Sequence, residues 1–341
     1  MATMQELRKT ARERVKSKCR VCPVCDGRAC AGEIPGMGGI GTGSAFRNNI
    51  TALAAFKLNM RVMHEANTPD VSCTLWDRKL SLPVLAAPVG NVQQNLGSDM
   101  DNADYTRKLI EGCVKAGTLA GIGDVPELDL FAKYMKLAGE YSKNVIPFIK
   151  PWVTDAVAKR FDLAAEAGCD ICGMDVDAAG LPHLRSLPTP AGVKTPKEMA
   201  EIIKAAHDRK IKFIVKGVMT ADEAVIAADA GADAIIVSNH GGRVLDHAAG
   251  AAEVLEGIAE AVGHRLVVMA DGGIRTGVDV LKILALGAKV SLICRPVAVI
   301  LHGDENEAVP AYFTMIRSEL SQAMQLTGCN DLASVTRRIL L

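Results

Sequence analysis

The chain has 341 residues, of which 49% are hydrophobic and only 4% aromatic, and its 39 lysines and arginines balance 39 aspartates and glutamates. This length suits one large α/β barrel or two smaller domains with a core of small and aliphatic side chains. A formal net charge of zero gives no indication of nucleic acid or an anionic membrane as a partner. No stretch approaches the ~18 apolar residues of a membrane-spanning helix.

The chain begins with MATMQELRKTARERVKSK, residues 1–18, which predict a charged helix and contain no apolar stretch like that of a secretory signal. We therefore expect a cytoplasmic protein. The sequence also contains ten cysteines. In a cytoplasmic protein, cysteines are more typical of free thiols or metal ligands than of disulfides.

Four of these cysteines, Cys19, Cys22, Cys25 and Cys30, form a C-x₂-C-x₂-C-x₄-C pattern directly after the predicted helix. The first three have the spacing of an iron–sulfur run, but the bacterial ferredoxin pattern places its fourth cysteine after three residues and follows it with proline. Zinc accepts four thiolates, although such tight spacing among all four is unusual for zinc. An iron–sulfur cluster, zinc and metal-free thiols therefore all stay open, with iron–sulfur ahead of zinc.

A glycine run follows, in which Gly36, Gly38 and Gly41 match the letters of the dinucleotide-binding fingerprint. The run follows no predicted strand and begins no βαβ unit, so its context excludes that function. Glycine here permits close backbone approach and freedom to move. We predict that residues 1–45 form a helix followed by a Cys-rich and Gly-rich lid, and that residues 46–341 form one cofactor-binding barrel.

Eight short apolar runs, separated by amphipathic helical stretches, make up most of the remaining chain. They are LPVLAAP (82–88), TLAGIG (118–123), VIPFIK (145–150), DICGMDV (170–176), KFIVKGV (212–218), AIIVSNH (234–240), RLVVMADGG (265–273) and VSLICRP (290–296). Their nearly continuous apolar character is typical of parallel strands buried on both faces. Eight strand–helix units in roughly 220 residues predict a (β/α)₈ TIM barrel with an N-terminal extension, rather than a doubly wound sheet.

The active site of such a barrel forms at the carboxyl ends of its strands, so polar residues there are candidates for function. At the end of the seventh run, Gly272 and Gly273 stand just before Arg275 and a predicted helix start, and Arg295 ends the eighth run. Backbone N–H groups freed by glycine, an arginine fork and a helix N-terminus form an anion site that is best suited to phosphate.

Two further strand ends predict proton transfer beside a substrate anion. His240 ends the sixth run, with Arg243 three residues on and Asp177 across the barrel on the fourth strand. A carboxylate can hold an imidazole in one tautomer and stabilise its protonated form. Arg243 can bind a substrate carboxylate through two hydrogen bonds. Lys216 lies in an otherwise apolar strand, where a buried ammonium group is costly unless it faces an anion.

At this point FIVKGVMTADEAVIAADAGADAIIVSNHGGRVLD and VMADGGIRTGVDVLKILALGAKVSLICRP closely resemble the FMN-dependent α-hydroxy acid oxidase and dehydrogenase family, which includes glycolate oxidase, lactate oxidase and flavocytochrome b2. The similarity is strong from about Ile211 to Ala333, weaker over 75–177 and poor before about Phe46. It implies bound FMN, oxidation of a small 2-hydroxy acid (lactate, glycolate or mandelate) to the 2-oxo acid, and a homo-oligomer, either a tetramer or an octamer.

The resemblance also implies roles for individual residues. His240 would be the base that removes a proton as FMN N5 accepts electrons, Asp177 its carboxylate partner, and Arg243 the clamp on the substrate carboxylate. Lys216 would lie near flavin N1 and stabilise the reduced ring. The implied cofactor contacts are Pro88, Val89, Gly90, Lys150, Asp175, Lys216, Ser238, His240, Asp271, Gly272, Gly273, Arg275, Cys294 and Arg295.

The chain departs from the family where substrate is held. The family has one tyrosine in its N-terminal segment and another at the end of strand three, and no tyrosine of this chain falls at either position. Trp152 lies near the second position and is the candidate substrate contact, while His183 and Arg185 follow strand four and could reach the site. Two alternatives therefore stay open: an FMN-dependent isomerase or reductase resembling type 2 isopentenyl diphosphate isomerase, and an FMN electron-transfer subunit with a redox protein partner.

Overall fold

The computed structural model describes residues 3–15, 18–188 and 191–341. Eight parallel strands close into one barrel, in which each strand pairs with the next along the chain and the last pairs with the first. The predicted (β/α)₈ architecture is therefore confirmed. Each of the eight strands lies within the apolar run that predicted it.

A short hairpin precedes the barrel, so the barrel strands are numbered from β3. The strands are β1 Cys73–Leu75, β2 Arg78–Leu80, β3 Val84–Ala86, β4 Ala120–Gly123, β5 Val145–Ile149, β6 Ile171–Asp175, β7 Lys212–Val218, β8 Ala234–Val237, β9 Val267–Ala270 and β10 Val290–Ile293. Several apolar runs extend past their strands, because the residues that follow enter the loops of the barrel rim.

The β1–β2 hairpin closes the end of the barrel opposite that rim. Leu75 and Leu80 are buried among the side chains that fill the barrel interior. Arg78 pairs with Asp170, the residue before β6, and its Nε donates to the carbonyl of Lys143, 2.6 Å away and shortly before β5. The hairpin therefore sits at the amino ends of the strands. The sequence did not predict it, because three-residue strands are too short to show a period.

A ring of helices covers the outside of the barrel. The helices are α1 Met4–Arg14, α2 Ser44–Ala55, α3 Val92–Leu96, α4 Asn102–Ala116, α5 Leu128–Gly139, α6 Thr154–Glu166, α7 Pro182–Arg185, α8 Pro196–Asp208, α9 Ala221–Asp229, α10 Ala251–Val262, α11 Gly277–Ala285, α12 Arg295–Ile300 and α13 Ala308–Gln325. Thr195 begins α8 and Thr276 begins α11, each with a carboxylate three residues on that completes a capping box.

The N-terminal extension packs partly against the helices and partly at the barrel rim, where Met37 lines the main cavity. Helix α1 lies within the predicted helical stretch and contacts α12 and α13, while residues 1–2 and 16–17 of that stretch lie outside the described residues. Residues 19–43, called the lid segment below, contain turns and bends without helix or strand. Helix α2 begins at Ser44, next to the expected boundary between residues 45 and 46, and the two-part division remains a prediction.

Apolar side chains fill two regions, the barrel interior and the layer between the strands and the helices. Burial of this aliphatic surface is the main source of stability, as the composition indicates. No helix among the described residues has the length and apolar character that crossing a membrane requires.

We predict that Gly242→Ala lowers the free energy of unfolding by about 1–3 kcal/mol. Gly242 has a φ of 79°, and a Cβ at this position would lie 2.7 Å from Cα of Phe46 in α2. Strain and this clash should push α2 away from the barrel. Urea unfolding followed by circular dichroism measures the change.

The control for this prediction is Gly257→Ala. Gly257 is exposed in α10, and a Cβ there would meet no atom within 4 Å. Alanine favours a helix, so this change should leave stability unchanged or raise it by up to about 1 kcal/mol. Equal unfolding midpoints for the two variants would contradict the prediction.

Candidate active site

A histidine and a carboxylate from different strands meet at the barrel rim. Asp177 lies in the 3₁₀ turn that follows β6, and His240 begins the turn that follows β8. His240 Nδ1 is 2.9 Å from Asp177 Oδ1. Because a carboxylate oxygen accepts, the proton belongs on Nδ1, and Nε2 keeps a lone pair that can accept another proton.

The His240 turn needs an unusual backbone, which neighbouring amides hold in place. His240 and the two glycines after it have φ values of 55°, 63° and 79°, all in the left-handed region. Asn239 Oδ1 accepts hydrogen bonds from the Gly242 N–H at 3.0 Å and from Asn49 Nδ2 of α2 at 2.8 Å. Helix α2 therefore fixes the turn that presents the imidazole.

Asp177 fits beside β7 only because Gly217 has no side chain. The pairing of β7 with β8 shifts register between Lys216 and Val218, where Gly217 has a φ of 107°. A Cβ at Gly217 would lie 2.6 Å from Asp177 Cγ. The irregular strand thus makes room for the carboxylate that holds the histidine.

Lys216 is buried next to two carboxylates. Its Nζ lies 3.0 Å from Asp175 Oδ1 and 3.8 Å from Asp271 Oδ2, and only 4% of the side chain is exposed. Burial alone would lower the pKa of Lys216, but Asp175 and then Asp271 more than offset it and raise that pKa above its ordinary value. Lys216 therefore stays charged, and Asp175 and Asp271 supply the nearby anion expected from the sequence.

Asp175 also binds a second ammonium group. Lys150 Nζ donates to Asp175 Oδ2 at 2.5 Å. Burial acts to raise the pKa of Asp175, but Lys150 and Lys216 outweigh it and hold that pKa far below its usual range. The three side chains form one buried group with a net positive charge.

His240 has a pKa below its ordinary value. Burial is the largest cause, Asp177 opposes it by raising the pKa, and Lys216 lowers the pKa further. The imidazole is consequently neutral near pH 7 and able to accept a proton.

Arg243 contributes a positive charge that no carboxylate of the described residues balances within ion-pair distance. Its Nη2 donates to Asn95 Oδ1 at 2.7 Å, and its Nε is buried without a hydrogen-bond partner. Burial and the neighbouring Arg295 lower the pKa of Arg243 to about 10, so it remains protonated near neutral pH. An incoming carboxylate would satisfy this group.

These groups surround a cavity of about 520 Å³ at the rim. The cavity is large enough for a cofactor and a small substrate. All but three of the residues expected to contact cofactor or substrate line it. Those lining it are Pro88, Val89, Gly90, Lys150, Asp175, Lys216, His240, Arg243, Asp271, Gly272, Gly273, Arg275, Cys294 and Arg295. The structure thus brings these residues together, while their roles stay predictions.

The three other expected residues, Asp177, Ser238 and Trp152, are not part of the cavity wall. Asp177 acts from behind His240, and Ser238 Oγ accepts a hydrogen bond from the His240 N–H at 3.0 Å. Trp152 is only 4% exposed, and its indole N–H donates to Asp124 Oδ2 at 2.6 Å. This placement does not support the expected contact between Trp152 and substrate.

Asp124 is a positioning residue that the sequence interpretation missed. It is buried after β4 and accepts hydrogen bonds from Arg160 Nε at 2.8 Å and from the Lys150 N–H at 3.0 Å, in addition to the Trp152 indole. This arrangement fixes the start of the loop that carries Lys150. The sequence could have indicated Asp124 as a candidate, because its polar side chain comes directly after the second apolar run.

His183 and Arg185 are the two residues that the sequence indicated could reach the site, and His183 does reach it. It lies on α7 and lines the cavity, whereas Arg185 is exposed and does not. The Nδ1 of His183 is buried without a hydrogen-bond partner. Burial, followed by Arg243, lowers the pKa of His183 to about 4, so this imidazole is neutral.

The cavity wall also has the features of a second anion site, formed by Arg275 and Arg295 beside Gly272 and Gly273. Arg275 precedes α11, and its Nε is buried without a hydrogen-bond partner. Arg295 Nε donates to the Met37 carbonyl at 2.8 Å and Nη2 to the Gly241 carbonyl at 2.9 Å. The unpartnered donor of Arg275 beside the Gly272–Gly273 turn fits the phosphate of FMN.

Asp175, Asp177 and His240 also place ligand-type atoms within 4.8 Å of one another, which is the only such group among the described residues. A metal ion there would lie beside the ammonium groups of Lys150 and Lys216. We therefore interpret the group as acid–base machinery rather than a metal site.

Comparison with known proteins identifies close relatives of this barrel. The family model for FMN-dependent dehydrogenases matches residues 36–209 and 190–341. An L-lactate dehydrogenase of Caulobacter vibrioides is 30% identical over 340 residues, covering 86% of this chain and 88% of the relative. An L-lactate oxidase of Lacticaseibacillus rhamnosus is 31% identical over 319 residues, covering 86% of this chain and 85% of the relative.

Solved structures give the same result. A putative lactate oxidase of Pediococcus acidilactici has a TM-score of 0.79 at 25% identity, over all of this chain and 94% of that chain. A mandelate oxidase variant with an FMN adduct has a TM-score of 0.71 at 29% identity, over 89% of this chain and 93% of that chain.

We predict that Asp177→Asn lowers the pKa of His240 further. The carboxylate raises this pKa against the effect of burial, so removing its charge removes the opposing influence. NMR titration of the histidine ring signals should show His240 titrating below pH 6.5 in the wild type and at lower pH in the variant.

Asp233→Asn is the matched control, because Asp233 Oδ2 lies 2.8 Å from His207 Nε2 in a pair outside the cavity. It should leave the His240 titration unchanged. A higher His240 pKa in Asp177→Asn would show that this carboxylate does not stabilise the imidazolium.

Proposed function

The chain belongs to the FMN-dependent dehydrogenase family, and we propose that it oxidises a small 2-hydroxy acid to the 2-oxo acid with FMN as cofactor. The observation that carries the proposal is the position of the His240–Asp177 pair and the unbalanced Arg243 cation beside one cavity. A base and an unbalanced cation on the wall of one cavity suit a substrate that carries a carboxylate next to its reacting carbon.

FMN, when bound, accepts the two electrons that the oxidation releases. Gly273, Arg275 and Arg295 would hold its phosphate end, and Pro88 to Gly90 would form the wall beside its ring. The charged Lys216 lies 3.8 Å from Asp271 at the edge of the same space and favours negative charge on a bound ring. All of these residues line the cavity.

The chain's own residues position and deprotonate the substrate. The substrate carboxylate pairs with the Arg243 guanidinium, whose fork can donate two parallel hydrogen bonds. The 2-hydroxy end then faces His240, and Nε2 accepts a proton from it. Asp177, 2.9 Å from Nδ1, stabilises the imidazolium that forms, as in other histidine–carboxylate pairs.

The substrate is proposed to be lactate or an acid of similar size. Two relatives are named for L-lactate, and the cavity wall includes His183, Leu184 and Leu187 beside the polar groups. No tyrosine of the described residues lines this cavity, so the substrate contacts differ from those of the family pattern. The family match supports hydroxy acid oxidation and gives no support to the isomerase alternative.

The proposal extends to three properties that rest on family resemblance and composition. The protein would act as a homo-oligomer in the cytoplasm. It would pass its electrons to an acceptor, and a redox protein is one candidate. Neither nucleic acid nor a membrane is part of the proposal, in keeping with the balanced charge of the chain.

The test is anaerobic mixing of the FMN-loaded protein with L-lactate, glycolate or mandelate. The flavin absorbance should bleach with at least one of them. His240→Gln should slow bleaching by roughly 10²- to 10⁴-fold, because it removes the proton acceptor, and should retain bound flavin. Bleaching by reduced nicotinamide alone would contradict the proposal.

We also predict that Arg243→Lys lowers kcat/KM for the hydroxy acid by about 10- to 100-fold, mainly through KM, because an ammonium group cannot make the paired hydrogen bonds of guanidinium. Steady-state kinetics with the flavin content measured alongside separates substrate binding from cofactor loss. Arg317→Lys, an exposed change on α13, is the control and should behave as wild type. An unchanged KM in Arg243→Lys would show that this residue does not bind the carboxylate.

A further inference from the structure

The cysteines of the lid segment line a second cavity of about 550 Å³. Cys19, Cys22, Cys25 and Cys30 all contribute to its wall, and all four are free thiols. Cavity walls are shared between the two sites, because Met37, Gly273, Arg275 and Arg295 line both. The second cavity therefore lies directly against the part of the first that carries Arg275 and Arg295.

The four cysteine side chains are all partly buried on the wall of this cavity. They surround a space that none of them fills.

Arginine side chains hold the cysteine loop in a defined position although it has no helix or strand. Arg8 of α1 donates to the Cys22 carbonyl, and Arg12 Nη2 donates to the Val21 carbonyl at 2.6 Å. Arg275 Nη2 donates to the Cys25 carbonyl at 3.2 Å and lies 3.6 Å from its sulfur. The loop is fixed from two sides, and arginine side chains line the same cavity as the sulfurs.

We propose that Cys19, Cys22, Cys25 and Cys30 bind an iron–sulfur cluster in this cavity. A cluster held by four thiolates is anionic, and the guanidinium groups of Arg275 and Arg295 at the wall would compensate its charge. Hydrogen bonds to cluster sulfurs are one of the means by which proteins set cluster potentials, and Arg275 is placed to supply one.

The spacing of the sulfurs distinguishes a cluster from zinc. Tetrahedral zinc with Zn–S bonds of about 2.3 Å requires its four sulfurs to lie about 3.8 Å apart. Among the described residues no three cysteine sulfurs lie within 4.8 Å of one another. A [4Fe–4S] cluster binds each thiolate to a different iron and so needs its four sulfurs farther apart than zinc does.

A cluster here would determine how electrons leave the protein, a step that rests on the proposed function. Oxidation of a 2-hydroxy acid to the 2-oxo acid releases two electrons and two protons. An iron–sulfur cluster takes up one electron at a time, so the pair would leave as two single electrons, each passed on to a one-electron carrier protein. One proton would go to water by way of His240, and the second would be released when the reduced cofactor gives up its electrons.

The experiment uses the full chain purified without oxygen. We expect about four iron and four acid-labile sulfide per chain, and an electron paramagnetic resonance signal after reduction with dithionite. Cys22→Ser and Cys25→Ser should lose most of the iron. Cys73→Ser is the matched control, because Cys73 is a free, partly exposed cysteine on β1 that does not line the cavity.

The outcomes separate this proposal from the proposed function. One zinc per chain without iron, four metal-free thiols, or a disulfide would each overturn the cluster. If a serine variant does not fold, the iron and sulfide content of the wild type still decides. Iron and sulfide with no bleaching by hydroxy acids would support the cluster and contradict the proposed function. Bleaching in an iron-free protein would support the proposed function and contradict the cluster.

Discussion

The pairing of β10 with β3 is the constraint on which the site depends, because it closes the sheet into a barrel. Ser291 lies opposite Val84 and Ile293 opposite Ala86, so the last strand is in register with the first. Closure brings eight carboxyl ends to one rim. Pro88, which follows β3, and Cys294, which follows β10, therefore line the same cavity. In an open sheet the ends of β3 and β10 would lie at opposite edges.

Inside that rim, burial determines which charges remain available for chemistry. A charge removed from water is stable only beside an opposite charge or several dipoles. Lys216 and Lys150 both contact Asp175, and His240 contacts Asp177. Arg243 differs, since among the described residues its only side-chain hydrogen-bond partner is the amide of Asn95 and it belongs to no ion pair. The site therefore has a surplus positive charge that a carboxylate ligand would neutralise, and this surplus sits beside the proton acceptor.

The barrel and most of the cavity wall could be predicted from the sequence, because buried parallel strands have a distinctive apolar run and their carboxyl ends lie on one rim. The direction in which a side chain points beyond a strand end could not be predicted from the sequence. Trp152 follows β5 as expected but turns to Asp124, and nothing local encodes that partner. The contact between Asn49 and Asn239 joins residues 190 positions apart, and amides have no diagnostic spacing. The lid segment has no periodic pattern at all.

Arg295 explains why a segment without helix or strand has a defined place. Its guanidinium donates to the Met37 carbonyl of the lid segment and to the Gly241 carbonyl of the His240 turn, and it stacks on Phe46 with Cζ 3.9 Å from the ring centroid. One buried cation thus connects the lid segment, α2 and the active-site turn. Arg295 also lines both cavities, so the same guanidinium forms part of each wall. The lid segment is consequently a structural part of the active site rather than a cover over it.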